Sequence, residues 1–341
     1  MRKKRIDLLT PEDYIKTATK LISRAKKRVI LIGLLMYRDK VTNDFVDALV
    51  AAAEREVEVH VAADFASFSM AVRRGSVVRS TVRQMRDGTK LSREFRAAGA
   101  KFRWLGRNYG TLFSARTHSK WLVVDDVVFI FGGVNTDDES IARNNDYMFR
   151  IDDASLADLI TREHCDIERA DRTKRLTRNH SEPSAVGTVL FDCGHPLWSI
   201  IYNNAVTLAK NPDVASMLFV SQYSPTGPLA RVIRQRTKLN KDFAHVYFNP
   251  LYKVDSPSNR FMLLLGRNDL REHNLYVRNQ YLHAKFIIFT FRDGHKVAIT
   301  GSHNFVAASS RIGTREVALL TDNARIISLL EDFFAKHVQP S

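Results

Sequence analysis

Two short motifs place a histidine and a lysine two positions apart on segments rich in apolar residues. They are His118-Ser119-Lys120 and His283-Ala284-Lys285. Because side chains two positions apart lie on the same face of a strand, each motif presents an imidazole beside an ammonium group. Each motif is followed by glycine and then asparagine, in Gly132-Gly133-Val134-Asn135 and in Gly301-Ser302-His303-Asn304. A single His-x-Lys often arises by chance, but two copies with this continuation predict two half-sites that together hold a phosphate diester.

The residue types of these half-sites suit the cleavage of a phosphodiester. A neutral imidazole can attack the anionic phosphate without charge repulsion and form a covalent phosphoryl intermediate. A second, protonated imidazole can give its proton to the leaving alcohol and then activate the incoming water or alcohol. Lysine and asparagine would stabilise the non-bridging oxygens; these residues are Lys120, Asn135, Lys285 and Asn304. Since they supply positive charge, we expect neither a metal nor a cofactor.

The remaining residues of the two motifs have positional roles. Gly132, Gly133 and Gly301 are expected to let the backbone come close to a ligand. Ser302 and Thr117 are candidates for lining the pocket.

A hairpin is predicted directly after the first motif. The chain runs through apolar residues, turns at Asp125-Asp126 and returns through Val127 to Phe131. Asp125 lies at the tip of this hairpin and an odd number of residues from His118. We therefore interpret Asp125 as structural.

The other histidines and both cysteines lack such a pairing. We interpret them as incidental: His60, His164, His180, His195, His245, His273, His295, His303 and His337, with Cys165 and Cys193 reduced and without a role.

The composition of the 341-residue chain indicates polyanionic partners. Its net charge of +15 favours nucleic acid or an anionic membrane surface, with a merely basic soluble surface as the alternative. The longest apolar run, residues 29–36, is too short for a transmembrane segment. Acidic residues and Pro11 follow the basic start, so we expect no secretory signal. We therefore expect a cytoplasmic protein that could rest on the inner membrane.

Residues 65–98 combine aromatic and basic side chains. As an amphipathic stretch, this segment could contact anionic lipid or nucleic acid. The alternative is an ordinary surface helix with a solvated face.

The order of predicted elements indicates an α/β fold with an internal repeat. A helix from Thr10, a strand at 29–35, a helix at 42–53 and a strand at 57–61 alternate in a way typical of parallel sheets. The second half of the chain repeats this order. We predict two pseudo-symmetric halves, each a mixed, largely parallel sheet flanked by helices, with the active site where the halves meet. Their expected bounds are 1–171 and 185–341, joined by a linker at 172–184.

These motifs resemble those of the phospholipase D superfamily, whose pattern is His-x-Lys-x4-Asp followed by Gly-(Gly/Ser)-x-Asn, in two copies. The first copy, including Asp125, matches the pattern in full. In the second copy Thr290 occupies the position of the aspartate, and the distance to Gly301 is four residues longer. Because the aspartate belongs to the hairpin, we expect this loss to be tolerated, with Asp293 in the longer turn.

The resemblance also implies roles for individual residues. By the family's pattern His118 is the nucleophile and His283 the general acid and base. Asp146 and Glu316 resemble the carboxylates that bond a histidine's other nitrogen and fix its tautomer. The alternative for both is a charge at a strand end in water.

The segment 132–139 is most similar to bacterial cardiolipin synthases, and 145–147 resembles an acidic strand of the same enzymes. This implies a phosphatidyltransferase or phospholipase D, acting on an anionic phospholipid such as phosphatidylglycerol at a membrane surface. Two alternatives remain open, namely a metal-independent nuclease and a polyanion-binding protein with a vestigial site.

Overall fold

The computed structural model describes residues 5–65, 67, 77–106, 116–250, 270, 273–307 and 313–340, with only the backbone at 77–85. The chain divides into two compact units. The first unit contains Met1–Ile130, Val134–Arg143 and Tyr147–Thr177, and the second unit contains Phe131–Gly133, Asn144–Asp146 and Arg178–Ser341. Two short segments from the first half of the sequence thus belong to the second unit.

The first unit is a sheet with helices packed on it. Its strands are β1 (Ile6–Leu9), β2 (Arg28–Gly33), β3 (Glu58–Asp64), β4 (Lys101–Leu105), β5 (Arg116–Thr117), β6 (Trp121–Val124), β7 (Val127–Ile130) and β9 (Met148–Asp152). Its helices are α1 (Pro11–Ile22), α2 (Asn43–Glu54), α3 (Val77–Ala97), α4 (Asp138–Arg143) and α5 (Ala154–Thr173). The strand order is β1-β9-β7-β6-β2-β3-β4.

The second unit has the same plan. Its strands are β8 (Asn144–Asn145), β10 (His180–Ser184), β11 (Gly187–Cys193), β12 (Val214–Val220), β13 (Ala244–Tyr247), β14 (Tyr281–Leu282), β15 (Phe286–Phe291), β16 (Lys296–Gly301) and β17 (Thr314–Thr321). Its helices are α6 (Ile200–Lys210), α7 (Gly227–Leu239) and α8 (Ala324–Phe333). The main sheet has the order β10-β11-β17-β16-β15-β12-β13, and β8 pairs with β14.

The two strand orders confirm the predicted internal repeat and the mixed α/β class. Strands β9-β7-β6-β2-β3 of the first unit correspond in order and direction to β17-β16-β15-β12-β13 of the second. The expectation of largely parallel sheets was wrong. Among the strands named in the two orders above, and within the described residues, only β2-β3-β4 and β12-β13 pair in parallel. The hairpins after each motif impose antiparallel pairing on the other strands, because a short turn reverses the chain direction.

Each unit has its own apolar core. In the first unit, helix capping explains where α1 begins. Thr10 caps α1 by accepting a hydrogen bond from the Asp13 amide, and Pro11 occupies the first turn. The apolar stripe of α1 then packs against the first sheet, with Tyr14 and Ile22 fully buried. In the second unit, α6 and α7 cover the sheet in the same way. Within the part of the chain that the structure describes, no helix is long and apolar enough to cross a bilayer.

The boundary between the two units, between Thr177 and Arg178, lies inside the predicted linker at 172–184. Helix α5 ends at Thr173, and β10 begins at His180. Pro183 lies in β10, at the edge of the sheet, where its missing N–H is tolerated. The segment 145–147, which resembles an acidic strand, is not one continuous strand here, because Asp146 lies in the break between β8 and β9.

The basic stretch at 65–98 falls partly outside the described residues. Residues 66 and 68–76 lie outside the described residues, and Val77–Ala97 forms α3. In the described end of α3, Leu91 and Phe95 are buried, and the basic residues are exposed; these are Arg86, Lys90, Arg93 and Arg96. This is the pattern of a surface helix with a solvated face, and contact with a membrane stays a prediction.

Asp125 holds the β6–β7 hairpin to the loop between α1 and β2. It lies in the turn with a φ of 52°. Its carboxylate accepts hydrogen bonds from the backbone amides of Lys26, Lys27 and Arg28, the shortest being 2.7 Å to Lys27. A carboxylate is well suited to this position, because three neighbouring amides point at one place.

The second unit holds the corresponding loop by other contacts. The β15–β16 hairpin is longer, so Thr290 pairs with Lys296 inside the ladder and Asp293 lies in the turn. The hairpin contacts the loop before β12 through the Arg292 amide, which donates to the Asp213 carbonyl at 2.9 Å. Arg236 of α7 also binds this loop, because its guanidinium donates to the carbonyls of Asn211 and Val214 at 2.5 and 2.6 Å.

We expect Asp125→Ala to lower the free energy of unfolding by about 2–3 kcal/mol, since three amides lose a charged acceptor. Asp125→Asn should lower it less, because an amide oxygen still accepts and asparagine tolerates positive φ. Urea denaturation provides the measurement.

Asp126→Ala is the matched control. Its side chain is half exposed and lies 3.6 Å from Lys27, so its loss should cost less than about 1 kcal/mol. Equal decreases in the free energy of unfolding in Asp125→Ala and Asp126→Ala would contradict the structural role of Asp125.

Candidate active site

The second motif centres on a buried contact between a histidine and an aspartate. The ring Nδ1 of His283 lies 2.5 Å from Oδ2 of Asp146. Both side chains are buried. Because a carboxylate accepts hydrogen bonds only, Nδ1 carries the proton in this contact, which leaves Nε2 as the atom that can exchange a proton. Asp146 thus fixes both the tautomer and the orientation of the ring.

The backbone around Asp146 explains how this contact forms. Strand β8 pairs in parallel with β14, which leads into His283. The carbonyl of Asn145 accepts hydrogen bonds from the amides of both His283 and Ala284, at 2.9 and 3.0 Å. On the other side, the Asn249 side chain bonds both the amide and the carbonyl of Leu282. Backbone hydrogen bonds on either side of His283 therefore hold this residue independently of the contacts that its ring makes.

Lys285 completes this cluster and is fully buried. Its Nζ lies 3.2 Å from Nδ1 of His283 and donates to the carbonyl of the same residue. Burial lowers the pKa of Lys285 to about 8, and the carboxylates of Asp146 and Glu316 partly oppose that shift. The ammonium group therefore keeps its charge at neutral pH and loses it under mildly alkaline conditions.

Gly133 is required by this cluster. A Cβ at this position would lie 2.5 Å from Oδ2 of Asp146 and 2.9 Å from Nζ of Lys285. The amide of Gly133 also donates to Oδ1 of Asp146 at 3.2 Å. We expected this glycine to admit a ligand; it instead admits the carboxylate and the ammonium of its own chain.

Gly301 has a comparable role at the end of β16. Its Cβ would meet the Val317 carbonyl oxygen at 2.2 Å, so only glycine allows β16 and β17 to approach as they do. Ser302 follows, and its hydroxyl donates to the Glu316 carboxylate at 2.5 Å. Glu316 is buried on β17 and also accepts from Thr314 at 3.4 Å. Ser302, expected to line a pocket, therefore contacts one of the two predicted carboxylates.

The first motif repeats part of this geometry. Lys120 is buried, and its Nζ donates to the carbonyl of His118 at 2.8 Å. Lys285 makes the same contact to His283. In both units, therefore, the lysine folds back onto the backbone of its own histidine, which fixes the position of the ammonium group beside the imidazole.

Asp64 positions the segment before His118, and sequence reasoning missed it. This fully buried carboxylate at the end of β3 accepts from the Thr117 amide at 2.8 Å and contacts Arg116 at 3.3 Å. The signal in the sequence was an aspartate directly after the apolar residues 61–63, since a carboxylate in such a position needs a buried partner. Thr117, expected to line the pocket, is buried and held by this contact.

The two motif asparagines share an unusual feature. The amide of Asn135 donates to Ser140 at 3.3 Å, and the backbone carbonyl of Asn304 accepts from Ser221 at 3.1 Å. In both residues the side-chain Oδ1 is buried and has no hydrogen-bond partner among the described residues. An unpartnered buried amide oxygen is costly, and a side-chain amide can present either its oxygen or its donor nitrogen in a given direction. Both residues are therefore suited to bind a polar ligand.

The structure brings the predicted residues together within each unit. His283, Lys285, Asp146 and Gly133 form one cluster in the second unit, and His118 and Lys120 are in contact in the first. The second cluster can orient an imidazole and place a positive charge beside it. These are the features needed for proton transfer at a phosphate group.

Comparisons with known proteins concern the family and the fold. Residues 18–165 match the family model described as cardiolipin synthase, PLD-like domain. The fold is similar to the phosphatidylserine synthase of Haemophilus influenzae Rd KW20, with 14% identity, a TM-score of 0.72, and coverage of 98% of this chain and 86% of that one. It is also similar to the polyphosphate kinase of Porphyromonas gingivalis, with 12% identity, a TM-score of 0.57, and coverage of 97% and 49%. At these identities the solved structures establish the fold alone. A search of the curated proteins found no match.

We expect Gly133→Ala to disrupt the contact between Asp146 and His283, because the new methyl group occupies the space of the carboxylate. In proton NMR, the low-field resonance expected of the Nδ1 proton of His283 should disappear or shift. Gly33→Ala is the matched control, since its Cβ would make only an ordinary 3.4 Å contact. An unchanged low-field resonance in folded Gly133→Ala would contradict the close approach.

Proposed function

Because the chain belongs to the phospholipase D superfamily, we propose that it transfers phosphatidyl groups between alcohols, with an anionic phospholipid such as phosphatidylglycerol as donor. The observation that supports this most directly is the buried cluster of His283, Asp146 and Lys285. It combines an imidazole of fixed tautomer with a neighbouring cation, as phosphoryl transfer by acid–base catalysis requires.

In the first step of the proposed reaction, the imidazole of His118 attacks the phosphorus atom of the donor lipid. A bond forms between nitrogen and phosphorus, and the bond from phosphorus to the glycerol oxygen breaks. His283 gives the proton on Nε2 to the departing alkoxide, so glycerol leaves as a neutral alcohol. The phosphatidyl group remains on His118 as a phosphoramidate.

In the second step, His283 takes a proton from the incoming hydroxyl group through the same nitrogen. The hydroxyl oxygen attacks phosphorus, the bond from phosphorus to nitrogen breaks, and His118 is regenerated. A second phosphatidylglycerol as acceptor yields cardiolipin, whereas water yields phosphatidic acid. Asp146 contributes in both steps, because its charge stabilises the imidazolium form of His283.

The lysines and asparagines of the motifs act on the phosphate oxygens in this proposal. Lys120 and Lys285 are each fixed beside a histidine by a bond to its carbonyl, so little reorganisation is needed when charge develops. The buried side chains of Asn135 and Asn304 provide further donors when their amide nitrogens, instead of the unpartnered oxygens, face the substrate. Removal of a single donor of this kind typically lowers turnover about 10²–10³-fold.

The proposed lipid specificity is supported by two observations. The family model matched by residues 18–165 carries the name of cardiolipin synthase, and the similar fold from Haemophilus influenzae is a phosphatidylserine synthase. The exposed basic residues of α3 would favour peripheral contact with anionic lipid at the inner membrane.

A nuclease is the second candidate, favoured by the net charge of +15, since phosphate contacts dominate binding to nucleic acids. The chemistry at the histidines would be the same. Incubation with single- and double-stranded DNA and RNA in EDTA distinguishes this candidate. Cleavage that His118→Ala abolishes would support the nuclease, and its absence together with lipid turnover would support the transferase.

We expect wild-type protein to convert phosphatidylglycerol in vesicles to cardiolipin and glycerol, or to phosphatidic acid and glycerol, as measured by mass spectrometry. His118→Ala and His283→Ala should each lower the rate about 10²–10⁴-fold, because each removes a group that bonds to or protonates the reacting atoms. His245→Ala is the control, since His245 is exposed on β13. Near wild-type rates in either motif variant would contradict the assignment.

A phosphatidyl ester of p-nitrophenol separates the two histidines. This leaving group departs without a proton, so His283→Ala should still release p-nitrophenol in a single-turnover burst. His118→Ala should give no burst, because the nucleophile is missing. The opposite pattern would exchange the two roles. A burst in both variants would contradict a covalent intermediate on either residue.

We expect kcat/KM to fall as the pH rises through about 8, because Lys285 loses its proton there. Bound phosphate favours the charged lysine, so the limb in kcat should lie at higher pH than the limb in kcat/KM. Lys285→Met should be slow and lack this limb. Circular dichroism over the same pH range provides the control for unfolding. A wild-type profile that is flat to pH 10 would argue against a role for the charge of Lys285.

A further inference from the structure

A cluster of three ionisable side chains lies in the first unit, apart from the motif residues. His60 belongs to β3, and His164 and Glu168 lie one turn apart on α5. His60 is 5% exposed and His164 0% exposed, and the side chain of Glu168 is 12% exposed. Both histidines were expected to be incidental, because neither belongs to a His-x-Lys motif.

The facing atoms of this cluster lie close together but are not hydrogen-bonded to one another. One atom from each side chain lies within 4.8 Å of the others. Nε2 of His164 is 3.6 Å from Oε1 of Glu168, and Nδ1 of His60 is 3.8 Å from Oε2. Nδ1 of His60 and both ring nitrogens of His164 are buried without a hydrogen-bond partner among the described residues. Buried polar atoms of this kind are rare in folded proteins, because each costs free energy.

A further carboxylate indicates which nitrogen of His60 is a lone-pair donor. Glu58 lies 3.0 Å from Nε2 of His60. If Nε2–H donates to Glu58, Nδ1 presents a lone pair toward Glu168. This arrangement, a carboxylate bonded to the outer nitrogen of a ligating histidine, is common at metal sites. Lys101 also lies 3.0 Å from Nε2. If it donated to this nitrogen instead, the proton would move to Nδ1 and block the inner lone pair.

We propose that His60, His164 and Glu168 form a binding site for a divalent first-row metal ion of the zinc type. Two imidazole nitrogens and a carboxylate oxygen suit such an ion. Ligand bonds of about 2.0–2.2 Å in a tetrahedron place neighbouring ligand atoms about 3.3 Å apart. The two nitrogen–oxygen separations, 3.6 Å to Oε1 and 3.8 Å to Oε2 of Glu168, exceed this value by a few tenths of an ångström. The imidazole nitrogens lie within 4.8 Å of one another, so binding also draws the two rings together. Water would occupy the fourth position.

The position of the cluster indicates a structural role for the ion. It would join α5, the last helix of the first unit, to strand β3 of its sheet. The ring of His164 also lies edge-on to Trp121, with centroids 6.3 Å apart. Trp121 directly follows Lys120 of the first motif. A bound ion would therefore stiffen the packing behind β6 without contacting the reacting phosphate.

Metal binding is measured on the tag-free full-length chain after dialysis against a chelator. Titration with Zn²⁺ by calorimetry, and with Co²⁺ by visible absorption, should give one ion per chain and the spectrum of a four-coordinate site. His164→Gln and Glu168→Gln should each weaken binding at least about 100-fold. His295→Ala is the matched control, because His295 forms an exposed pair with Asp293 at 2.5 Å, and it should bind the ion like the wild type.

Glu58→Gln keeps all three ligands, so this variant tests the proposal even if the ligand variants fail to fold. Its side chain is 56% exposed, and loss of such an outer carboxylate should weaken binding about 10–100-fold. Absence of one-to-one binding in the wild type would overturn the proposal. So would unchanged affinity in Glu168→Gln, or a loss confined to His295→Ala. None of these readouts depends on lipid turnover, so the outcome is independent of the proposed function.

Discussion

The second half-site depends on the mutual compensation of three buried ionisable groups. An isolated charge in the interior is strongly unfavourable, and removing one partner of a buried set leaves the others uncompensated. Asp146, His283 and Lys285 avoid this because each lies within hydrogen-bonding distance of another polar group. The same burial that makes the lysine less basic makes its charge more effective, since little water screens it. Chemistry and packing are therefore set by one arrangement of atoms.

The two units show how a repeated fold can keep its geometry while local contacts diverge. In the first unit a carboxylate in the hairpin turn accepts from three amides of the neighbouring loop. In the second unit a backbone amide of the hairpin binds the corresponding loop, and a guanidinium from helix α7 binds two of the loop's carbonyls. Motif positions that differ between the repeats, such as Thr290, therefore need not indicate a loss of chemistry.

Much of the fold could be predicted from the sequence, because its signals are local. Apolar runs, helix caps and the Asp125-Asp126 turn each specify structure over a few residues. The contact between Asp146 and His283 joins positions 137 apart, and no local pattern determines such a register. The resemblance to a known family supplied the candidate residue, and the break between β8 and β9 explains how it reaches the ring. Asp64 and the pair His60 and His164 were missed for the same reason, since their partners are distant in sequence.

The chain passes between its two units several times, and this limits where it can be cut without separating Asp146 from His283. The residues that provide the carboxylate and the tight glycine, Asn144–Asp146 and Phe131–Gly133, come from the first half of the sequence but fold with the second. Proteolysis or gene splitting at position 177 would leave the C-terminal fragment with His283 but without Asp146. Such fragments would have to reassociate to restore the contact between Asp146 and His283.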